Sequence, residues 1–272
     1  MEQLLEFGIF FGKVFVVVIG LLLIIAFIGA QATRAAHKLP QLDIDNIGEQ
    51  LDSYANQLRQ KIFSKRQLKH LIKSTKKNKK KRSQGLRKIF VVDFDGDIKA
   101  SAVKHFRNEI STILSVGNKN DEVFVRLTSP GGMVHAYGLA AAQLARIKKS
   151  GMNLTISVDK MAASGGYMMA CTANKIIASP FAIVGSIGVL AQVPNLHRFL
   201  KEHNIDYEEV TAGEYKRTIS VFGEITDKGR KKFSEQIEDT HSLFKSFVKE
   251  YRPQVNIDQI ATGEYWLGLC AK

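Results

Sequence analysis

At 272 residues the chain is long enough for one large or two ordinary domains. Its formal charge of +13 is local: between Arg59 and Lys88 stand 14 Lys and Arg with no acidic residue, so the rest is close to neutral and a uniformly polyanion-binding surface is excluded. Two cysteines and 7 scattered histidines exclude a disulfide framework and offer no metal-ligand spacing, so neither a metal nor an organic cofactor is expected.

Residues 14–30 form an uncharged apolar run, extended backwards over residues 7–12 with only Lys13 intervening. A bilayer-spanning helix needs about 20 apolar residues, which this run supplies. A cleaved signal peptide is the alternative, because residues 28–32 carry small side chains at cleavage spacing. The run is longer than a signal core and lacks a strongly basic start, so residues 1–32 are read as a retained transmembrane anchor. Residues 33–86 then read as an amphipathic arm and basic linker. A helix is expected over residues 43–73, with Leu51, Tyr54, Leu58 and Ile62 on one stripe. The cluster from Lys76 to Arg82 has the charge to attract anionic lipid or nucleic acid. With no interleaved aromatic platform and no nucleic-acid-binding fold around it, it reads as a solvated or membrane-facing linker, and nucleic acid is not an expected partner.

From residue 87 to 272 strands and helices alternate. Strands are expected at 89–94, 122–127, 153–158 and 175–178, and helices at 100–116, 133–149, 165–172, 195–202 and 227–251. That order argues an α/β layered domain with a mainly parallel sheet. The last helix is amphipathic, a cover or an assembly surface.

Two glycine-rich turns fall at strand ends. Thr128-Ser129-Pro130-Gly131-Gly132 closes one strand and opens a helix, and Ala163-Ser164-Gly165-Gly166-Tyr167 does the same further on. Either alone is commonly just a tight turn or a helix cap. Together they suit a nucleophile elbow: small neighbours let a carbonyl reach the Ser164 hydroxyl, and backbone N–H groups are aimed at developing negative charge. Such turns at the carboxyl ends of strands converge where open α/β sheets place ligands. His135, just after Gly132, reads as a surface or packing residue, and Cys171 as a small core residue.

A serine hydroxyl needs a base. No His or Asp partner is evident, and a lysine serves only when its pKa falls from about 10.4. Lys216 stands apart from the linker lysines, in the glycine-containing segment Thr211-Ala212-Gly213-Glu214-Tyr215-Lys216. On spacing alone Lys216 is only a modest candidate, because pairing of Glu214 with Lys216 or Arg217 on a surface loop is the commoner arrangement.

The ordered set of anchor, Ser129-Pro130-Gly131-Gly132, Ala163-Ser164-Gly165-Gly166-Tyr167, Gly185-Ser186-Ile187-Gly188-Val189 and Gly213-Glu214-Tyr215-Lys216 resembles the signal peptide peptidase A family of serine–lysine peptidases. It is closest to the SohB-type, membrane-anchored members, from the anchor to about Gly268. The resemblance implies an α/β Clp protease/crotonase-like layered fold with an N-terminal transmembrane helix. It implies Ser164 as nucleophile and Lys216 as general base, and Ser186 as support for the lysine. The implied oxyanion donors are the N–H of Gly165 and one from Gly131 or Gly132. Also implied are assembly into a homo-oligomer, where the dyad can be completed between neighbours, and a peptidase domain on the periplasmic side of the cytoplasmic (inner) membrane, single-pass. Positive charge flanking the anchor is nearly balanced, with Lys13 before it and Arg34 and Lys38 after it. Residues 262–268 are similar to the family motif that precedes its last helix and strand, so the domain is expected to be truncated at its C-terminus.

The expected function is a membrane-anchored serine endopeptidase acting on signal-peptide remnants or unfolded segments through an acyl-enzyme. The apolar residues Met161, Tyr167, Met168, Phe181 and Val189 serve equally as subsites or as core. Two alternatives stand beside it: a crotonase-type acyl-thioester enzyme, and an inactive membrane scaffold whose basic arm binds lipid or nucleic acid.

Overall fold

A computed structural model of the chain describes residues 12–13, 15–16, 18–22, 42–64, 66–69, 71–72 and 87–271. The chain divides into two units, Met1–Lys77 and Asn78–Lys272. Among the described residues no helix is long and apolar enough to cross a membrane. The expected anchor falls mostly outside them, as does the lysine cluster.

The first unit contains helix α1, Ile47–Ile62. The Asn46 side chain caps it by accepting the Glu49 N–H at 3.2 Å. The expected continuous helix to residue 73 is interrupted: Phe63 turns extended, at φ −102° and ψ 148°. Helical geometry resumes at residues 66–69. The break is a second start signal. Gln67 Oε1 accepts from both the backbone N–H and the hydroxyl of Ser64, at 3.1 and 2.9 Å, the reach-back half of a capping box.

The second unit runs β1 (Ile89–Asp95), α2 (Val103–Val116), β2 (Glu122–Ser129), α3 (Val134–Ser150), β3 (Asn153–Ala163), α4 (Gly165–Ala170), β4 (Lys175–Ala178), β5 (Ile183–Gly185), α5 (His197–Glu202), α6 (Asp227–Tyr251), α7 (Ile257–Ile260) and β6 (Tyr265–Leu267). The sheet order is β1-β2-β3-β5-β6, with β4 also paired to β3. All pairs are parallel except β5 with β6, so the α/β layered architecture holds with a mixed sheet.

Strand β3 is the axis of the site. Its first half, from Thr155 to Val158, pairs with β4, and its last three residues pair with β5. The sequence pattern ends at Val158 because Asp159 and Lys160 break the apolar run. The strand nevertheless continues, since Met161, Ala162 and Ala163 find partners in Ile183, Val184 and Gly185. Opposite this break, β2 advances from Leu127 to Ser129 while β3 advances from Val158 to Ala162, a bulge that bends the end of β3.

Helix α3 buries Tyr137, Ala140, Ala141, Leu144 and Ile147, one face at helical spacing. It ends at Gly151, whose φ of 84° is the left-handed cap glycine supplies readily. Phe94 meets Phe106 edge-on at 5.1 Å and Tyr137 at 6.4 Å, joining β1, α2 and α3 in one core. Helix α2 starts three residues later than expected because Ala100 sits at φ 49°, outside helical geometry. Helix α5 starts late because Asn195 is tethered away, donating to Ser220 O and Gly223 O at 2.9 Å each. The expected helix over 165–172 closes at Ala170, and α6 spans the range its periodicity predicts.

Candidate active site

The site is assembled where β2, β3 and β5 end side by side. Ser164 follows Ala163 at the end of β3 and initiates α4, with φ 51° and ψ −116°. That is a strained conformation for a residue with a Cβ, and such strain concentrates at functional turns. Its N–H donates to Gly185 O at 2.8 Å, and its C=O accepts from Met168 N–H at 2.9 Å, so the backbone is held on both sides. The hydroxyl caps nothing and the residue is half-buried, leaving Oγ available to a substrate.

The second turn lies against the first. Gly131 has φ 86°, and a Cβ there would stand 2.7 Å from Gly165 N, 2.7 Å from Ala163 O and 2.8 Å from Ser164 Cβ. Only a glycine lets the two turns come this close. The turns also divide the candidate oxyanion donors. Gly131 N–H is already committed, donating to Ser129 Oγ at 3.0 Å. Met133 N–H is likewise committed, to Ile98 O at 2.8 Å. Gly132 N–H, between them, has no such partner among the described residues. As the first residue of α4, Gly165 has no intrahelical acceptor for its own N–H. Of the pair left open by sequence, Gly132 is therefore the residue with a donor to offer.

Behind the turns runs a buried hydroxyl chain. Tyr137 OH donates to Asp97 O at 2.7 Å, and the same oxygen lies 2.6 Å from Ser129 Oγ. The tyrosine has one proton, spent on Asp97, so Ser129 donates to Tyr137 and accepts from Gly131. Burial raises the Tyr137 pKa, which keeps that proton in place. The ring also backs α4: a Cβ on Gly165 would meet Tyr137 Cγ at 2.4 Å. Sequence reasoning missed Tyr137. The available signal was a tyrosine on an otherwise aliphatic helix face, where a buried phenol needs a polar partner.

Ser186 follows Gly185, and the pairing of Ala163 with Gly185 sets Ser164 and Ser186 each one residue beyond the paired ends of adjacent parallel strands. Ser186 has φ 52°, donates its N–H to Glu264 O at 2.7 Å and directs its hydroxyl to Gly263 O at 3.4 Å. Lys216 makes no contact of this kind. It lies in an exposed loop, its N–H bonded to Gly213 O at 3.1 Å, and no hydrogen bond joins it to Ser164 or Ser186. The acids nearby are otherwise engaged: Glu214 pairs with Lys228, and Glu209 with Arg217 at 3.0 Å. The surface pairing that competed with a catalytic role for Lys216 is thus made by other lysine and arginine residues. His135 is exposed on α3, and Cys171 is fully buried, its thiol pushed up to about 12 by desolvation. Among the described residues no cluster of His, Cys, Asp and Glu is arranged to hold a metal.

Comparison with known proteins adds family evidence. Residues 2–144 match the model for the N-terminal part of peptidase family S49, and residues 146–272 match the model for peptidase family S49 itself. A "Probable protease SohB" of Haemophilus influenzae is 46% identical over 285 residues, covering 98% of this chain and 80% of that protein. Another, from Buchnera aphidicola subsp. Schlechtendalia chinensis, is 43% identical over 286 residues, covering 100% and 94%. Among solved structures, the ClpP protease catalytic domain of Plasmodium falciparum superposes with a TM-score of 0.41 at 9% identity, over 66% of this chain and 77% of that one. A superposition that loose leaves the fold to be argued from the sheet itself.

Proposed function

The chain belongs to peptidase family S49 and is a serine protease, and on that premise we propose that Ser164 is its nucleophile and Lys216 its general base. The observation that carries the reading is the Ser164 turn, strained at φ 51° with a hydroxyl that caps nothing and packed against the Gly131-Gly132 turn, where the N–H groups of Gly165 and Gly132 have no partner among the described residues. Ser164 Oγ attacks the scissile carbonyl carbon while the Lys216 amine accepts its proton. The oxyanion that forms is held by the two N–H groups, each typically worth about a hundred- to a thousandfold in rate. Collapse of the tetrahedral adduct breaks the C–N bond, and Lys216 returns the proton to the leaving amine. Water then adds to the acyl-enzyme by the same path and releases the acid. Ser186 supports the lysine in this proposal.

In this reading Lys216 pairs with Ser164 within one protomer or from a neighbouring protomer of a homo-oligomer. The remaining parts of the reading rest on sequence. The apolar run at residues 14–30 supports a single-pass anchor in the inner membrane, and the peptidase unit is assigned to the periplasmic side. Substrates are peptides or unfolded segments near the membrane, remnants of signal peptides among them. A Clp- and crotonase-like classification of the core is part of the same proposal, supported by its parallel β1-β2-β3 arrangement with crossover helices. Membership of a peptidase family displaces the acyl-thioester alternative.

The test is hydrolysis of an unfolded apolar protein by the detergent-solubilised full chain, with Ser164→Ala and Lys216→Ala compared with the parent. Both substitutions should abolish turnover with circular dichroism unchanged. Turnover that survives either one overturns that residue's role. A mixture of the two inactive variants regains activity only if the dyad forms between protomers.

A further inference from the structure

We propose that Tyr137 is a positioning residue for catalysis, acting through the Asp97 carbonyl, Tyr137 and Ser129 hydroxyl chain to hold the oxyanion loop so that Gly132, not Gly131, presents its N–H to substrate. This rests on Ser164 being the nucleophile and goes beyond it by saying what aims the donor.

The chain has one possible polarity. Tyr137 OH donates to a backbone carbonyl that can only accept, Asp97 O at 2.7 Å. Ser129 Oγ, 2.6 Å from the phenol oxygen, must then be the donor of that pair. Its remaining lone pairs face the Gly131 N–H at 3.0 Å. The Gly131 amide is thereby turned inward, at φ 86°. Successive peptide planes are linked through one Cα, so fixing the first plane limits how the next, which carries Gly132 N–H, can rotate. Buried hydroxyls in such a chain are costly to leave unpaired, which resists rotation of the loop.

The phenol is anchored independently of the loop. Its ring lies in the core against Phe94, and it is fully buried. Space around it is closed: a Cβ on Gly96 would come within 2.5 Å of Tyr137 OH and 2.7 Å of Ser129 Oγ. The same ring abuts Gly165, whose N–H is the other proposed donor. One side chain therefore references both halves of the oxyanion site to the core.

Tyr137→Phe removes the hydroxyl and keeps the ring, and Ser129→Ala removes the next link. The full chain in detergent is assayed for kcat and KM per active site, with the active fraction titrated by acylation burst. Affinity for a peptide boronate, which forms a tetrahedral adduct on serine, is measured alongside. Each variant should lose roughly ten- to a hundredfold in kcat with little change in KM, since the defect lies in aiming a transition-state donor. Boronate affinity should fall in parallel with kcat/KM. The double variant should lose no more than the worse single one, because both break the same chain. Ile147→Val, elsewhere on the buried face of α3, serves as the control: it lowers stability and leaves kcat per active site unchanged. If Tyr137→Phe keeps full kcat and boronate affinity, or if the two losses simply add, the proposal is overturned. If Ser164→Ala remains active, the underlying assignment of the nucleophile fails instead, and the two failures are distinct.

Discussion

Replacing Gly131 with alanine separates backbone strain from steric exclusion, because Gly151 provides a matched control. The two glycines have φ of 86° and 84°. A positive φ costs an alanine about 1–2 kcal/mol, and both positions carry such a φ. The loss of unfolded-chain freedom on replacing glycine with alanine is also common and cancels in the comparison. The sites differ in space. At Gly151 the nearest atom to a new Cβ is the flexible Lys119 side chain at 3.4 Å, whereas at Gly131 the neighbours are Gly165 N and Ala163 O at 2.7 Å and Ser164 Cβ at 2.8 Å. Relieving the overlap requires the two turns to part by about 0.7 Å, in a region packed on both sides. Overpacking of that kind costs about 1–3 kcal/mol, so Gly131→Ala should destabilise by that much more than Gly151→Ala. Its effect on turnover is larger, since a displacement near 1 Å at reacting groups costs about a hundredfold. Urea unfolding followed by fluorescence of Trp266, the single tryptophan, reads the stability difference from a strand beside the site. Peptidase turnover of the same samples reads the second effect. Equal stability for the two variants, with Gly131→Ala fully active, would refute the close apposition of the turns.

Two further predictions rest on other parts of the molecule. Burial raises the Cys171 thiol to about 12 while Cys270 is exposed, so iodoacetamide at pH 8 should label one thiol per native chain, at Cys270, and two after unfolding; rapid native labelling of Cys171 would contradict the packing under α4. Asp121 accepts from the N–H groups of Lys88 and Asn118, at 2.9 and 3.0 Å, which hold its carboxyl below the usual range. A carboxylate depressed in the folded state stabilises fully above its unfolded pKa of about 3.9 and loses that contribution as pH falls through the folded value. Asp121→Asn should therefore flatten the stability profile below about pH 4 while lowering stability at neutral pH, and an unchanged acid limb would remove the carboxylate from this role.

Much of the fold was legible because its strands and helices are long enough to carry a period. Helix α6 follows its apolar spacing from Asp227 to Tyr251, and β1, β2 and β4 begin at the residues where their patterns begin. The parts that were not legible are short or depend on distant partners. Strands β5 and β6 have three residues each, too few for alternation to register, and exist because Val184 pairs with both Ala162 and Trp266. The end of β3 was hidden by Asp159 and Lys160, which interrupt the apolar run without interrupting the strand. In the site, motif composition located both turns but could not choose between Gly131 and Gly132. The structure separates the two by their hydrogen bonds: Gly131 N–H is bonded to Ser129 Oγ, which in turn meets the Tyr137 hydroxyl, a residue outside the motif.

The dependence on tertiary partners runs to the far end of the sequence. Ser164 is held by Gly185 O, so its position depends on β5. Strand β5 in turn is held by β6 and by its approach: Ser186 N–H bonds to Glu264 O, Gly263 N–H to Ile187 O at 3.2 Å, and Trp266 packs so closely that a Cβ on Gly185 would meet its ring at 2.8 Å. Residues 263–267 therefore act as the outer brace of Ser164, two strands removed from it. Nothing in their local composition announces that role, because the requirement is imposed by the missing hydrogen-bond partner on the open side of a three-residue strand. A serine held at φ 51° keeps its strained geometry only while every neighbouring strand end is pinned, and in this chain the pinning is distributed across β2, β5 and β6.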